Sequence, residues 1–586
     1  MDVLNTTQRL WDMRRGDADD DRTSPHGRGW RSMALSAALE FNYLTASIAF
    51  LSLIIVPALL VGLAPPLFVL YGRRKLETAT MVSSRPFAAI LSMTLLVAVT
   101  LWIARPLLSK AVDFFWHLHY TLVFPIFVGL REIICALIEP GANRPMTPEL
   151  LDRRRRLGTV LATLLLAGGG LAVALSVGFT SGTRLVELGD YRPWPLVRAA
   201  LGNAALVLGV STAVASLYWL TREVTSRRPV LDWVPGPPAT GVITTRVAHL
   251  SDLHLVGERY GFRMEVGTKG PHGNLRFRRT LRALAAIHEA TPLDRVLITG
   301  DITDAGTRAE WVEFLDLLRR APELRARVLF VPGNHDVNVI DRTNPGRFAL
   351  PWSESHALRQ LRVVLAFDAI QGESAHVVDR ATGRPGPSLR EYLREGNRPA
   401  HLRALAERGH WRGRLEMMRV WDAIFPLVVP PPKGGGFGVI LLDSNAQRHF
   451  SLTNAVGVIG RPQLSALKSI LRAGRDCAWM ILLHHHVAEY PTASIGLQER
   501  IGLALINAPD VLAAIASHGA PVLVLHGHRH RDWIGTRGDV VLCSAPSVAL
   551  GAAGGPMSHG SFHIYELAFG TDGHMRLARS QQVSVA

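Results

Sequence analysis

Apolar residues run along this chain in two different rhythms. Up to residue 222 they come in long blocks, at 43–71, 86–104, 157–179 and 196–220. A helix rises 1.5 Å per residue, so roughly 20 apolar residues cross the hydrocarbon layer of a bilayer, and the blocks have about that length. Pro57, Pro65 and Pro66 interrupt the first block, which reads as one tilted helix or as a helix followed by a re-entrant turn. The third is the cleanest, and Gly168, Gly169 and Gly170 give it a small-residue surface for helix packing. Arg198 stands near the start of the fourth. A further stretch at 114–137 contains His117, His119, Arg131 and Glu132. Either a spanning helix lining a polar interior or an interfacial helix fits it, and the flanking charges favour the spanning one. The expectation is an all-α transmembrane domain of about five helices.

Beyond a linker at 223–241, with four prolines between 229 and 238, the rhythm shortens. Short apolar strands alternate with amphipathic helices, the pattern of an α/β domain over 242–586. Strands are expected at 242–250, 296–299, 328–331, 479–483 and 522–525, all buried. Each ends in polar residues: Ser251 to His254, Gly300 to Asp304, Pro332 to Asp336, His484 to His486, and His526 to His530. Loops at strand ends hold functional groups on a rigid frame. Helices are expected at 275–288 and after a Thr307 cap, the latter burying Trp311, Phe314, Leu315 and Leu318. An insertion at 341–432 carries helical patterns at 358–369 and 401–408 and scattered arginines (Arg390, Arg394, Arg403, Arg412), and reads either as a cap over the site or as a helical decoration or contact to the membrane half. Gly434, Gly435 and Gly436 form no P-loop and read as a turn before a strand at 437–442. Residues 1–42 form a separate polar segment, and no fixed-period repeat is present.

Composition sharpens this picture. A chain of 586 residues exceeds one ordinary domain. Charged residues make up 19%, below the roughly 25% of soluble domains, and hydrophobic residues 48%, which again points to membrane segments. The net charge of +16 suits an anionic membrane surface or a phosphate-bearing substrate. No basic patch is interleaved with aromatics, so no nucleic-acid partner is expected. Three cysteines without C-x-x-C spacing argue against a disulfide framework and a zinc finger. The acidic stretch at 17–21 ahead of the first apolar block is unlike a cleavable signal peptide.

Positive charge marks the cytoplasmic side. It gathers at Arg73, Arg74 and Lys75, at 153–156, and at Arg222, Arg227 and Arg228, whereas the 180–194 loop balances two arginines against two carboxylates. The α/β domain is therefore expected in the cytoplasm, on the inner membrane. The N-terminus is external if the first block crosses once and internal if it forms a hairpin.

Asp, His and Asn are donors for mid-size divalent cations such as Mn, Fe or Zn. Asp252 and His254, one residue apart, can turn toward one ion, and the two oxygens of Asp301 can bridge two. Gly300, Gly333 and Gly527 permit tight turns beside them. Each fragment alone is weak. Specificity lies in the order D-x-H, G-D-x-x-D, G-N-H-D, strand-end histidine and G-H-x-H, each after an apolar strand.

This ordered set resembles the calcineurin-like metallophosphoesterase superfamily over roughly residues 245–568. The stretch at 438–445 (GVILLDSN), followed by Gly460, Gln463 and Leu464, is similar to the bacterial branch that contains cyclic-nucleotide phosphodiesterases. The resemblance implies a four-layer α/β sandwich of two mixed sheets flanked by helices, and two divalent metal ions. Matching positions places Asp252, His254 and His530 on one ion, Asn334, His484 and His528 on the other, and Asp301 between them. His485 is the alternative to His484. It also implies catalysis by His335, oriented by Asp336, with Asp304 steering a ligand; His249 reads as structural. The implied activity is hydrolysis of a phosphodiester, such as a cyclic nucleotide, by hydroxide bridging the metals. Two other readings stay open: hydrolysis of a nucleotide-linked lipid diphosphate beside the bilayer, and a membrane sensor or transporter with a regulatory phosphoesterase-like domain, for which His117, His119 and Arg131 are the intramembrane features. The oligomeric state is not legible.

Overall fold

The computed structural model describes residues 10–18, 59, 62, 124–138, 148–180, 193–225, 230–234, 243–257, 272–338, 354–432, 436–445, 455–490, 505–550, 559–569 and 575–585. They fall into two compact units, Tyr43–Arg227 and a second made of Met1–Asn42 with Arg228–Ala586.

The first unit contains helices α1 (Phe124–Ile138), α2 (Pro148–Thr180) and α3 (Pro193–Thr225). α2 and α3 pack where Gly170 meets Gly209: a Cβ on either would strike the other's carbonyl oxygen. Small residues of the two helices (Ala162, Thr163, Ala174, Ala200, Ala204, Ser216) are buried, while Leu164, Leu165, Leu171, Leu201, Val214 and Leu217 face outward. Small-inside and large-outside is the arrangement expected of helices in lipid. The segments Arg153–Gly178 and Val197–Arg222 are long and apolar enough to cross a bilayer, yet only 22% and 33% of their most apolar windows is buried, unlike core helices of a soluble protein. Of the three glycines at 168–170, Gly170 makes the helix contact and the other two face open space. Among the described residues two helices, not about five, meet the length for crossing. The blocks at 43–71 (apart from Leu59 and Gly62) and 86–104, and His117 and His119, lie outside the described residues.

The second unit holds two mixed sheets. The smaller contains β2 (Ile243–Leu250), β3 (Arg295–Ile298), β4 (Val328–Phe330), β13 (Gly560–Phe569) and β14 (Met575–Val585), in the order β14-β13-β2-β3-β4. The larger contains β1 (Leu231–Asp232), β5 (His376–Val378), β6 (Pro385–Ser388), β7 (Leu427–Val429), β8 (Phe437–Leu441), β9 (Ala478–Leu482), β10 (Val522–His526), β11 (Trp533–Arg537) and β12 (Val540–Ser544), in the order β1-β11-β12-β10-β9-β8-β7-β5-β6. Side chains alternate across the central strands with period two. Val439, Leu441, Met480, Leu482, Leu523 and Leu525 join the core shared with the smaller sheet. Ile440, Trp479, Ile481, Leu483, Val522 and Val524 face the opposite core, with Leu467, Ile470 and Leu471 of one flanking helix (Arg461–Ala473) and Val511 and Ile515 of another (Ala508–Ala516). Burial on both faces explains why these strands read as continuous apolar runs.

On the smaller sheet, α4 (His272–Ala290) and α5 (Arg308–Arg319) bury Phe277, Trp311, Phe314 and Leu318. Thr307 is the N-cap residue of α5, and Glu310 accepts its backbone N–H at 2.9 Å, as in a capping box. Leu317 is fully buried there and Leu315 only partly, a one-position change from the expected face.

The described part of the insertion, 354–432, is built into the domain. Its strands β5, β6 and β7 extend the larger sheet, and its helices, including α8 (Glu354–Ile370), bury Leu361, Phe367, Leu402, Leu405, Met417 and Val420 in the main core. The helical patterns were visible in the sequence; strands of three and four residues are too short to show a period. Within the expected linker, Leu231 and Asp232 pair with β11 as an edge strand.

Leu482 is fully buried two residues before the first strand-end histidine. Leu482→Ala should cost about 2–5 kcal/mol, read as a lowered urea midpoint.

Candidate metal centre

β2, β3 and β4 run parallel to one another, as do β8, β9 and β10, so their carboxyl ends align within each sheet. The loops that leave them carry the charged and imidazole side chains. Among the described residues, five other than glycine have left-handed backbone: Asp252 (φ 55°), His254 (44°), Asp301 (49°), His528 (72°) and His530 (49°). This conformation is uncommon outside glycine, and such strain clusters where a ligand or reaction requires it. All five are residues that the motif order singles out as ligands.

Three groups of potential ligand atoms result, with the atoms in each within 4.8 Å of one another: Asp252, His254 and His530; His254, Asp301 and His335; and Asp301, His484 and His528. Asp252 Oδ1 lies 3.2 Å from His530 Nε2. Asp301 stands between the outer groups, with Oδ2 3.9 Å from His254 Nε2 and 3.2 Å from His484 Nε2. Asn334 Oδ1 is 3.0 Å from His484 Nε2. A Cβ on Gly333 would run into the Asp301 carboxylate, and one on Gly527 into Ser251 and Asp252, so both turns require glycine.

The donor set fits a cation. His484 Nδ1 donates to the Thr299 carbonyl at 2.8 Å, which leaves Nε2 as the atom turned toward the cluster. Facing it are Asn334 Oδ1 at 3.0 Å, Asp301 Oδ2 at 3.2 Å and His528 Nδ1 at 3.0 Å. Acceptors converging in a buried place need a positive charge between them. Burial opposes a second proton on His484, but Asp301 outweighs burial and lifts the imidazole to about 9. Burial pushes Asp301 up, and the neighbouring histidines, His484 foremost, overcome it and hold the carboxyl well below its usual range. A divalent ion coordinated by carboxylate, imidazole and amide oxygens would replace that proton. Burial, with neighbouring histidines, pushes His528 and His485 well below the ordinary imidazole value, so both present neutral rings.

Of the three consecutive histidines, His484 enters the cluster. His485 backs it, with Nδ1 2.8 Å from Ser444 Oγ and its ring 4.4 Å from that of His528. His249, fully buried, packs against Tyr565 and meets Thr299 at 3.0 Å. His335 is half-buried, its backbone N–H bonded to Asp301 Oδ1 at 2.9 Å and its ring 4.7 Å from that of His254.

Asp336 is placed to brace loops, not to orient His335: its oxygens accept from Thr303 N (2.9 Å), Thr303 Oγ1 (2.6 Å), Gly333 N (2.8 Å) and Ile302 N (3.3 Å). His335 Nδ1 instead donates to the Asp304 backbone carbonyl at 2.7 Å, which directs Nε2 away from that carbonyl. The Asp304 side chain lies 3.4 Å from His254 Nδ1, and so Asp304 touches both histidines.

Sequence reasoning gave no role to 443–445. Ser444 Oγ accepts from the backbone of His484 and His485, at 3.2 Å each. Asn445 donates to the Pro332 carbonyl at 2.9 Å and to Asp443 at 3.0 Å, which ties the end of β8 to the loop after β4. Burial lifts Asp443 to about 6. The signal was available, because Asp-Ser-Asn ends an apolar strand as the ligand loops do.

Residues 245–400 match the family model of the calcineurin-like phosphoesterases. The chain carries a calcineurin-like metallophosphoesterase domain. The match runs well into the segment 341–432 that the sequence suggests is an insertion. Two curated proteins are similar over part of the chain, each called "Probable cyclic nucleotide phosphodiesterase". The one from Coxiella burnetii is 31% identical over 104 residues, 18% of this chain and 37% of that protein. The one from Synechococcus is 30% identical over 115 residues, 20% of this chain and 41% of that protein. The chain thus spans about two fifths of the relatives it matches. A solved dimetal phosphatase from Danio rerio aligns with 60% of this chain and 99% of its own, at 14% identity and a TM-score of 0.33, too low to carry an argument.

A ligand that binds only the folded state stabilises it. Chelation should lower the melting temperature of the metal-loaded wild type by several degrees, and Asp301→Asn should abolish most of that difference. Scanning fluorimetry with and without chelator is the measurement.

Proposed function

We propose that the chain is a membrane-anchored, two-metal phosphoesterase that hydrolyses phosphodiesters, with cyclic nucleotides the first class to examine. One observation carries the reading: the five left-handed non-glycine residues all belong to one buried cluster of carboxylate and imidazole groups. The family match supports hydrolysis of a phosphate ester, and the names of the two curated relatives favour a diester.

In this reading Asp252, His254 and His530 hold one divalent ion, Asn334, His484 and His528 the other, and Asp301 both. When bound, such ions supply Lewis-acid polarisation of a phosphoryl group and activation of water. The protein supplies the rest. Thr299 and Ser444 fix the ring and backbone of His484, and the Asp304 carbonyl fixes the ring of His335. His335, reachable from solvent and with Nε2 turned from that carbonyl, protonates the leaving oxygen. Such a group is worth about 10²–10⁴-fold in rate.

Membrane anchoring rests on α2 and α3, whose small residues face inward and large apolar residues outward. Two consecutive crossings would bring the arginines at 153–156 and Arg222 to the same face, which favours a catalytic domain on the cytoplasmic face of the inner membrane. The same helices favour a second substrate class, a nucleotide-linked lipid diphosphate, because a lipid substrate would partition beside the enzyme. Arg131, one candidate feature for a transport or sensing role, pairs with Glu132 at 2.6 Å, which weakens that reading.

The test is hydrolysis of a chromogenic phosphodiester and the matching monoester by the full-length protein, after chelation and after adding Mn²⁺. Metal-restored cleavage with the diester preferred is expected. Cleavage of the monoester alone, or activity unchanged by chelation, would contradict the proposal. His335→Ala should lower kcat by about 10²-fold while bound metal, measured by elemental analysis, stays constant.

A further inference from the structure

Residues 10–18 precede the membrane half in sequence, yet they pack in the phosphoesterase unit. Leu10, Met13 and Ala18 join its main core, and Arg308 donates to the Met13 carbonyl at 3.0 Å. Asp17 and Arg362 of α8 form a two-pronged ion pair, Nε to Oδ2 and Nη2 to Oδ1, each 2.8 Å. Both partners are buried, Asp17 at 8% and Arg362 at 3% exposed. Arg14 pairs with Asp316 of α5.

The pair reaches the catalytic loop. Arg362 Nη1 donates to the Gly306 carbonyl at 3.0 Å. Gly306, left-handed at φ 66°, lies so close to the Asp336 backbone that a Cβ would strike its carbonyl oxygen. Two residues before it, the Asp304 carbonyl receives the Nδ1 proton of His335, and Thr303 binds the Asp336 carboxylate. A continuous line therefore runs from Asp17 through Arg362 and the 303–306 loop to His335.

We propose that Asp17 is a positioning residue for His335, so that the N-terminal segment is a working part of the active site. Without its carboxylate, the buried Arg362 loses its two-pronged ion pair, and its grip on Gly306 loosens. The catalytic ring loses its fixed place, while every assigned ligand except His254, which the Asp304 side chain meets at 3.4 Å, keeps its own contacts. A topological consequence follows, resting on the membrane reading above. Residues 18 and 230 belong to one unit and would lie on the same membrane face, so the chain between them would cross an even number of times. The N-terminus is then on the catalytic side, and an odd count such as five is excluded.

The test uses the full-length protein. Asp17→Ala should lower kcat for the chromogenic diester by roughly tenfold or more, with KM and bound metal unchanged within twofold, and Asp17→Glu should restore most of the loss. Wild-type kcat in a folded Asp17→Ala protein, or a loss confined to KM, would overturn the positioning role. Labelling decides the placement even if Asp17→Ala does not fold or the wild type cleaves no diester. In a Cys477→Ser background, Arg15→Cys and Gln581→Cys, both at exposed positions, should react with an impermeant thiol reagent from the same face of sealed vesicles. Reaction from opposite faces would overturn the proposal. A wild type inactive on diesters but labelled from one face would instead count against the phosphodiesterase reading alone.

Discussion

Asp301 is only 2% exposed at the end of β3, where His484 at the end of β9 comes within 3.2 Å of it. A carboxylate in such a place is costly unless something positive faces it, and the local structure answers that cost. The backbone N–H of His335 meets one oxygen and two histidines approach the other. Room for it exists because residue 333 is glycine, and its own backbone is left-handed at φ 49°. The alternation of side chains in β8, β9 and β10 serves the same end, because two packed faces hold those strands rigid at the point where their loops must be accurate.

How much of this could be read in the sequence follows from where the information lies. The five strands that lead into the site are buried on both faces, so they appear as unbroken apolar runs, and their polar ends stand out. The cluster residues Asp252, His254, Asp301, His484, His528 and His530 were legible for that reason, and so was the division into an apolar half and an α/β half. Less legible were features set by register or by contacts distant in sequence. The three short strands of the insertion have no period to read. Asp336 follows His335 directly, yet its carboxylate grips Thr303 and Gly333, and a backbone carbonyl holds the ring. A carbonyl leaves no mark in an amino-acid sequence.

The N-terminal segment shows the same limit more sharply. Its polar, acidic composition reads as a tail, because a short stretch with few apolar residues cannot form a core alone. Its burial depends on Arg362, 345 positions away. The pairing unites the two ends of the chain in one unit.

The central claim is that Asp301 joins two metal ions. Crystals of the protein grown with Mn²⁺ and measured for anomalous scattering test it most directly. The account predicts two peaks roughly 3.5–4 Å apart, one beside Asp252, His254 and His530 and the other beside Asn334, His484 and His528, with an Asp301 oxygen within reach of both. A single peak, or peaks away from Asp301, would contradict it.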